Sequence, residues 1–208
     1  MADISNSAEN LTVARIGRRV LGIGQAARAQ LGLSQPAFGA ITADMLVDDT
    51  DAVPMAGGDA PLAVATLAFL LERDLAGGEV DIADVLEATA LVFPAIEVRD
   101  PQAAAHGFGA HVVLGDGGLA PAAIDLECCG VVAELNGALA ATGAGAAALG
   151  HPAKAVAWLA NALDAQGDPL RAGEIVLAGE LTAPVAVKAG DALRVTVGGL
   201  GNAGLRFE

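Results

Sequence analysis

The 208-residue chain contains no tyrosine, one tryptophan and five phenylalanines, so aromatics make up 3% of it. Basic residues are also scarce: 11 Lys and Arg stand against 25 Asp and Glu, a formal net charge of −14. A single-stranded nucleic-acid platform needs stacking rings and a basic groove, and a duplex binder needs cations for the phosphates. Both shortages exclude nucleic acid and anionic membrane surfaces as partners. No apolar run reaches bilayer length; Leu62–Leu71 is followed directly by Glu72, Arg73 and Asp74. The start, MADISNSAEN, has no basic segment leading into an apolar one, so no secretory signal is read there. The only two cysteines, Cys128 and Cys129, are adjacent. They form no disulfide framework and would face opposite sides of a strand, so a reducing, cytoplasmic location is expected.

What is abundant is aliphatic. Hydrophobic residues reach 54% and charged residues only 17%, enough for one sizeable core built from Ala, Val, Leu and Ile. Residues 1 to 12 are polar and are expected to be disordered, with a single domain over 13–208. Val20 to Ile23 reads as a strand and Gln25 to Leu31 as a short helix, broken at Ser34-Gln35-Pro36. Asp48 to Pro61 reads as a loop. Leu62 to Leu71 fits either a buried strand or a short helix on periodicity alone. Asp81 is an N-cap for a helix with Ile82, Val85 and Leu86 on one face. Pro94 reads as an interruption before strand alternation at Ile96-Glu97-Val98. Val112–Leu114 and Gly130–Leu135 read as further strands.

The clearest helix runs from Pro152 to Leu163, with Pro152 at the first helical position and Val156, Leu159 and Leu163 on a core-facing stripe. Trp158 on it should be at least partly buried. After Gly167 come short strands punctuated by Gly and Pro, and Leu193, Val195 and Val197 alternate with polar residues. The sum is a strand-dominated α+β domain with few helices.

Four motifs, in order, resemble one family. They are LGLSQPAFGAITADM (Leu31 to Met45), LAFLLERDL (Leu67 to Leu75), PAIEVRD (Pro94 to Asp100) and the tail from Gly143 to Asp191. Together they resemble the 2-oxopent-4-enoate hydratase/4-oxalocrotonate decarboxylase family of the fumarylacetoacetate-hydrolase-like superfamily. The resemblance implies a curved mixed β-sandwich or roll, and it favours a strand at Leu62–Leu71. Relative to the family, its N-terminal helical arm is expected to be largely absent. It implies a lyase that adds water to a 2-hydroxy-2,4-dienoate or its 2-oxo tautomer, a small 2-oxo acid. It also implies a homo-oligomer or a pathway partner enzyme.

In that family a divalent cation, magnesium (Mg2+) or manganese (Mn2+), is held by three carboxylates. Two come from a Glu-x-Glu on one strand, since residues i and i+2 share a face. The third comes from a neighbouring strand. Here the pair falls on Val64 and Thr66, and only Glu97 remains as a metal ligand. One carboxylate makes a poor magnesium site, because the ion dehydrates reluctantly. Glu97 thus reads either as the surviving ligand or as an ion-paired carboxylate near Arg99. Of the family's paired aspartates Asp44 remains, as a polar or acid/base group. Arg19 is the basic residue nearest to an expected lysine. The resemblance makes Thr182 a substrate contact. His106 lies in Ala105–Phe108, which replaces a polar family stretch, and is the other candidate substrate contact.

His106 and His111 lack ligand partners at a metal-site spacing and read as loop histidines. His151 reads as a helix cap, and Cys128-Cys129 as small buried hydrophobes. GAGAAALG (143–150) lacks the Lys and Ser/Thr of a phosphate loop, which leaves no nucleotide cofactor. Val64 and Thr66 favour a non-catalytic paralogue or a changed reaction in an emptied apolar pocket over a hydratase that keeps its chemistry.

Overall fold

A computed structural model describes residues 14–24, 28–29, 33–49, 51–54, 61–99 and 109–208. The expected disordered start, most of the helix expected over Gln25–Leu31, and the stretch containing His106 lie outside the described residues. Of that helix, Arg28 and Ala29 are described and are helical.

Two sheets and two α-helices carry the fold. The larger sheet contains β1 (Arg15–Leu21), β2 (Ala37–Thr42), β3 (Leu46–Val47), β5 (Leu62–Leu71), β6 (Thr89–Arg99), β7 (Gly109–Leu114) and β10 (Ile175–Leu177). Their order is β2-β1-β10-β5-β6-β7-β3, and β11 (Val185–Ala186) pairs on β5. It is mixed: β1 runs parallel to β10 and β3 parallel to β7, and the remaining pairs are antiparallel. The smaller sheet has the order β4-β13-β12-β8-β9. Its strands are β4 (Ala52–Val53), β8 (Gly130–Leu135), β9 (Ala138–Ala144), β12 (Ala192–Val197) and β13 (Gly201–Phe207).

β5 explains why periodicity could not separate strand from helix in LAVATLAFLL. Nearly all of it is buried, because both faces of the large sheet are covered. Ala63, Ala65, Leu67 and Phe69 enter the main core, together with Val131, Val195, Leu205 and Leu159 from the smaller sheet and the long helix. Ala68 points the other way, into a second cluster with Ile41, Met45, Ala95, Val112 and Leu177. Val64 and Thr66 share that second face.

The helices start where their caps predict. In α1 (Ile82–Ala88), Asp84 N–H donates to the Asp81 side chain at 3.0 Å, and Asp81 N–H donates back to Asp84 at 2.9 Å. In α2 (Pro152–Asp164), the His151 ring nitrogen Nδ1 accepts from Ala153 N–H at 3.1 Å. Val156, Leu159 and Leu163 are buried as their spacing requires. Half-buried Trp158 meets Phe38 edge-on, with ring centroids 6.4 Å apart.

Four expectations are corrected. Pro94 does not interrupt: it lies inside the 11-residue β6, opposite Leu67. Its carbonyl accepts from Gly115 N–H at 2.8 Å, so its nitrogen faces the same side, where β7 has already ended at Leu114. The missing donor therefore removes no bond from the ladder. The first strand starts earlier than Val20, at Arg15, because its arginines find carboxylate partners: Arg15 bonds Glu174, and both Arg15 and Arg18 pair with Asp168. The loop from Asp48 contains β4, which lies parallel to β13. Cys128 and Cys129 sit in a turn rather than a strand, the first exposed and the second buried.

Candidate active site

Four charged side chains meet on the second face of the large sheet: Arg19, Glu97, Arg99 and Glu180. All are buried, with exposures of 0%, 1%, 6% and 9%. Glu97 and Arg99 are two residues apart on β6 and so project from one face. Arg99 Nε and Nη2 both donate to Glu97 Oε2, at 3.0 and 2.8 Å. Its remaining terminal nitrogen, Nη1, donates to Glu180 Oε1 at 2.7 Å. The same Glu180 oxygen accepts from Gly22 N–H at 3.3 Å. Arg19 closes the cluster from β1, with Nη1 at 3.4 Å from Glu97 Oε1. Gly39, directly opposite Arg19 on β2, makes room for it: a Cβ there would lie 3.1 Å from Arg19 Nε.

The cluster carries two positive and two negative charges. Burial pulls Arg99 toward deprotonation, but Glu97 and Glu180 outweigh it and leave its pKa raised. Arg19 is shifted down, chiefly by burial; Glu97 opposes the shift and Arg99 adds to it. A guanidinium stays charged even so, and Arg99 engages its two carboxylates through all three of its nitrogens.

Val64 is the cross-strand partner of Glu97, and Thr66 is the partner of Ala95. Both are buried, at 0% and 1%, on the face of the cluster. Neither offers a carboxylate, and the Thr66 hydroxyl donates to the Leu67 carbonyl at 3.4 Å. Thr182 is buried two residues beyond Glu180, and its hydroxyl donates to the Ala183 carbonyl at 3.0 Å. Asp44 stands exposed in a short 3-10 turn, Ala43–Met45, and shares no hydrogen bond with the cluster. The structure thus centres Glu97 and brings Arg19 to it, but it does not join Asp44 to them. Arg99 and Glu180 are the residues that motif reading passed over as site members. The signal for Glu180 was a lone charge inside the apolar run IVLAGELTAPVAV (175–187).

The donor set does not fit magnesium or manganese. Such ions want about six oxygens, with two or more supplied by carboxylates or ligand. Among the described residues no group of three or more His, Cys, Asp or Glu side chains could hold a metal. Glu97 already has a guanidinium contact on each oxygen. A dication at Glu97 would stand beside two arginines.

Residues 35–207 match the fumarylacetoacetate (FAA) hydrolase C-terminal family model. The chain is 36% identical over 209 residues to a 2-keto-4-pentenoate hydratase of Paraburkholderia xenovorans, covering 93% of this chain and 78% of that protein. It is also 36% identical to a 2-hydroxyhexa-2,4-dienoate hydratase of Comamonas testosteroni, covering 92% and 78%. Among solved structures, 4-oxalocrotonate decarboxylase from Pseudomonas putida G7, complexed with magnesium and adipate, superposes with a TM-score of 0.89. That match has 30% identity and covers 96% of this chain and 80% of that one. On sequence and fold together, the chain belongs to the 2-keto-4-pentenoate hydratase/4-oxalocrotonate decarboxylase family within the fumarylacetoacetate hydrolase superfamily.

Proposed function

We propose that the chain is a non-catalytic paralogue of the dienoate hydratases, kept for its fold and for contacts with copies of itself or with a related pathway enzyme. The observation that carries this reading is the Arg99 guanidinium bound to Glu97 and Glu180. It takes up the one carboxylate left at the family's ligand positions, and two apolar or neutral side chains stand at the others. Fold does not entail activity, and here the motifs that build the fold persist while the ligand pair does not.

The test is hydration of 2-hydroxypenta-2,4-dienoate, followed by loss of the dienoate absorbance, with millimolar magnesium or manganese. The expected result is no consumption above the uncatalysed rate. A second reading is a slow hydro-lyase on the same class of 2-oxo-4-enoate. It is favoured by 36% identity across 93% of the chain to a hydratase. In that reading Asp44 is the acid/base group, Glu97 a charged group near the reacting atoms, and Thr182 and His106 contact the substrate. Measurable turnover that falls on Asp44→Asn would establish it and overturn the first.

A further inference from the structure

We infer that Arg99 replaces the divalent cation of this fold: the protein carries the positive centre of its site as a side chain. The inference rests on the reading above, that the chain is a hydratase-family protein without the family's metal chemistry.

A cation site in a buried pocket needs anionic oxygens converging on one point. In this structure two carboxylates from distant parts of the chain, Glu97 on β6 and Glu180 in the turn after β10, converge on one guanidinium. Arg99 spans them with three N–H···O bonds of 2.7 to 3.0 Å. Without Arg99, two buried carboxylates would face one positive group, Arg19, whose contact with Glu97 is longer, at 3.4 Å. Arg99 is thus the principal counter-charge, and with Arg19 it brings the cluster to neutrality. A second cation is then repelled by two guanidiniums and gains no free carboxylate at Glu97.

The cluster keeps unmatched acceptor capacity. Glu180 Oε2 is buried and accepts no hydrogen bond among the described residues. An unmatched acceptor attracts a donor and repels the carboxylate of an oxo acid.

Calorimetric titration with Mn2+ and thermal unfolding, in chelator and in millimolar Mn2+, test this on the full chain. The wild type is expected to give no binding heat and the same melting temperature in both conditions. Arg99→Met should melt about 6–20 °C lower in chelator, since removing one partner strands buried charge. Mn2+ should then raise that variant by about 2–4 °C or more, because a cation can enter between the freed carboxylates. Low-micromolar Mn2+ binding by the wild type overturns the inference, and so does an Arg99→Met protein that ignores Mn2+. If Arg99→Met does not fold, Arg99→Met/Glu180→Gln decides: Glu97 keeps Arg19, so it should fold and ignore Mn2+. Its failure to fold would show that the carboxylate stranded at Glu180 is not the cause, which also overturns the inference. Hydration assays separate the two readings. Turnover in chelator ends the non-catalytic reading and leaves the internal cation standing; Mn2+ binding by the wild type ends the internal cation whatever the activity.

Discussion

At the scale of single residues, Val64 shapes the surroundings of Glu97. It faces Glu97 across the strand pair and is fully buried, so its side chain sets what the Glu97 carboxylate meets from β5. A carboxylate in that place would stand beside a cluster already balanced by Arg19 and Arg99. Val64→Glu should therefore destabilise the protein by roughly 2–5 kcal/mol, the cost of a buried charge without its own partner. Urea unfolding measures it. An unchanged midpoint would show that position 64 does not face the cluster. The pairing of Glu97 with Arg99 also stabilises the buried glutamate: two hydrogen bonds to a guanidinium offset its desolvation.

At the scale of elements, the site depends on how closely the turn after β10 approaches the smaller sheet. This turn carries Glu180 and Thr182, and it lies against the end of β9 at Gly143. A Cβ at Gly143 would sit 1.9 Å from the Leu181 carbonyl oxygen, a backbone atom with no freedom to swing away. Gly143→Ala should push the turn outward, weaken the Glu180–Arg99 contact and lower stability by about 1–3 kcal/mol. The drop should be visible in thermal unfolding. Hydrogen exchange should quicken at the Leu181 amide, which donates to the Ala65 carbonyl across to β5. Unchanged exchange there would mean that the approach tolerates a methyl group. α2 contributes differently: Pro152 and the His151 cap set its start, and its small buried alanines let it lie close on the main core.

At the scale of the whole molecule, the two sheets share one aliphatic core, and the formal net charge of the chain is −14. Excess acidity favours solubility and adds self-repulsion to the folded state. One acidic residue acts structurally across the smaller sheet. Asp191 accepts from Asn136 Nδ2 at 2.8 Å and from Lys188 N–H at 3.0 Å, joining the β8–β9 turn to the start of β12. The Asn136 side chain, with the Lys188 amide assisting, holds the Asp191 carboxyl below the usual carboxylate range. A folded-state pKa below the unfolded one means stability that is present at neutral pH and lost as the pH falls through the folded value. Asp191→Asn should melt below the wild type at neutral pH. The gap should close between about pH 5 and pH 2 as the wild-type carboxylate protonates. A gap independent of pH would assign the loss to packing rather than charge.

The residue pattern by itself determined the elements whose signals are local. Asp81 and Pro152 start helices because caps act within a few residues, and Leu193 to Val197 alternates because one sheet face is buried there. The ordered motifs determined the family, and the resemblance implies that Val64 and Thr66 stand at two of its ligand positions. Pairing across long sequence separations decided the rest. Glu180 lies 81 residues from Arg99 and Arg19 lies 78 from Glu97, so no local pattern could place them around one point. The spacing of Glu97 and Arg99 left two readings open, ligand or ion pair. The structure shows the ion pair, and the turn after β10 brings a second carboxylate to the same guanidinium, since burial makes an unmatched charge too costly to leave.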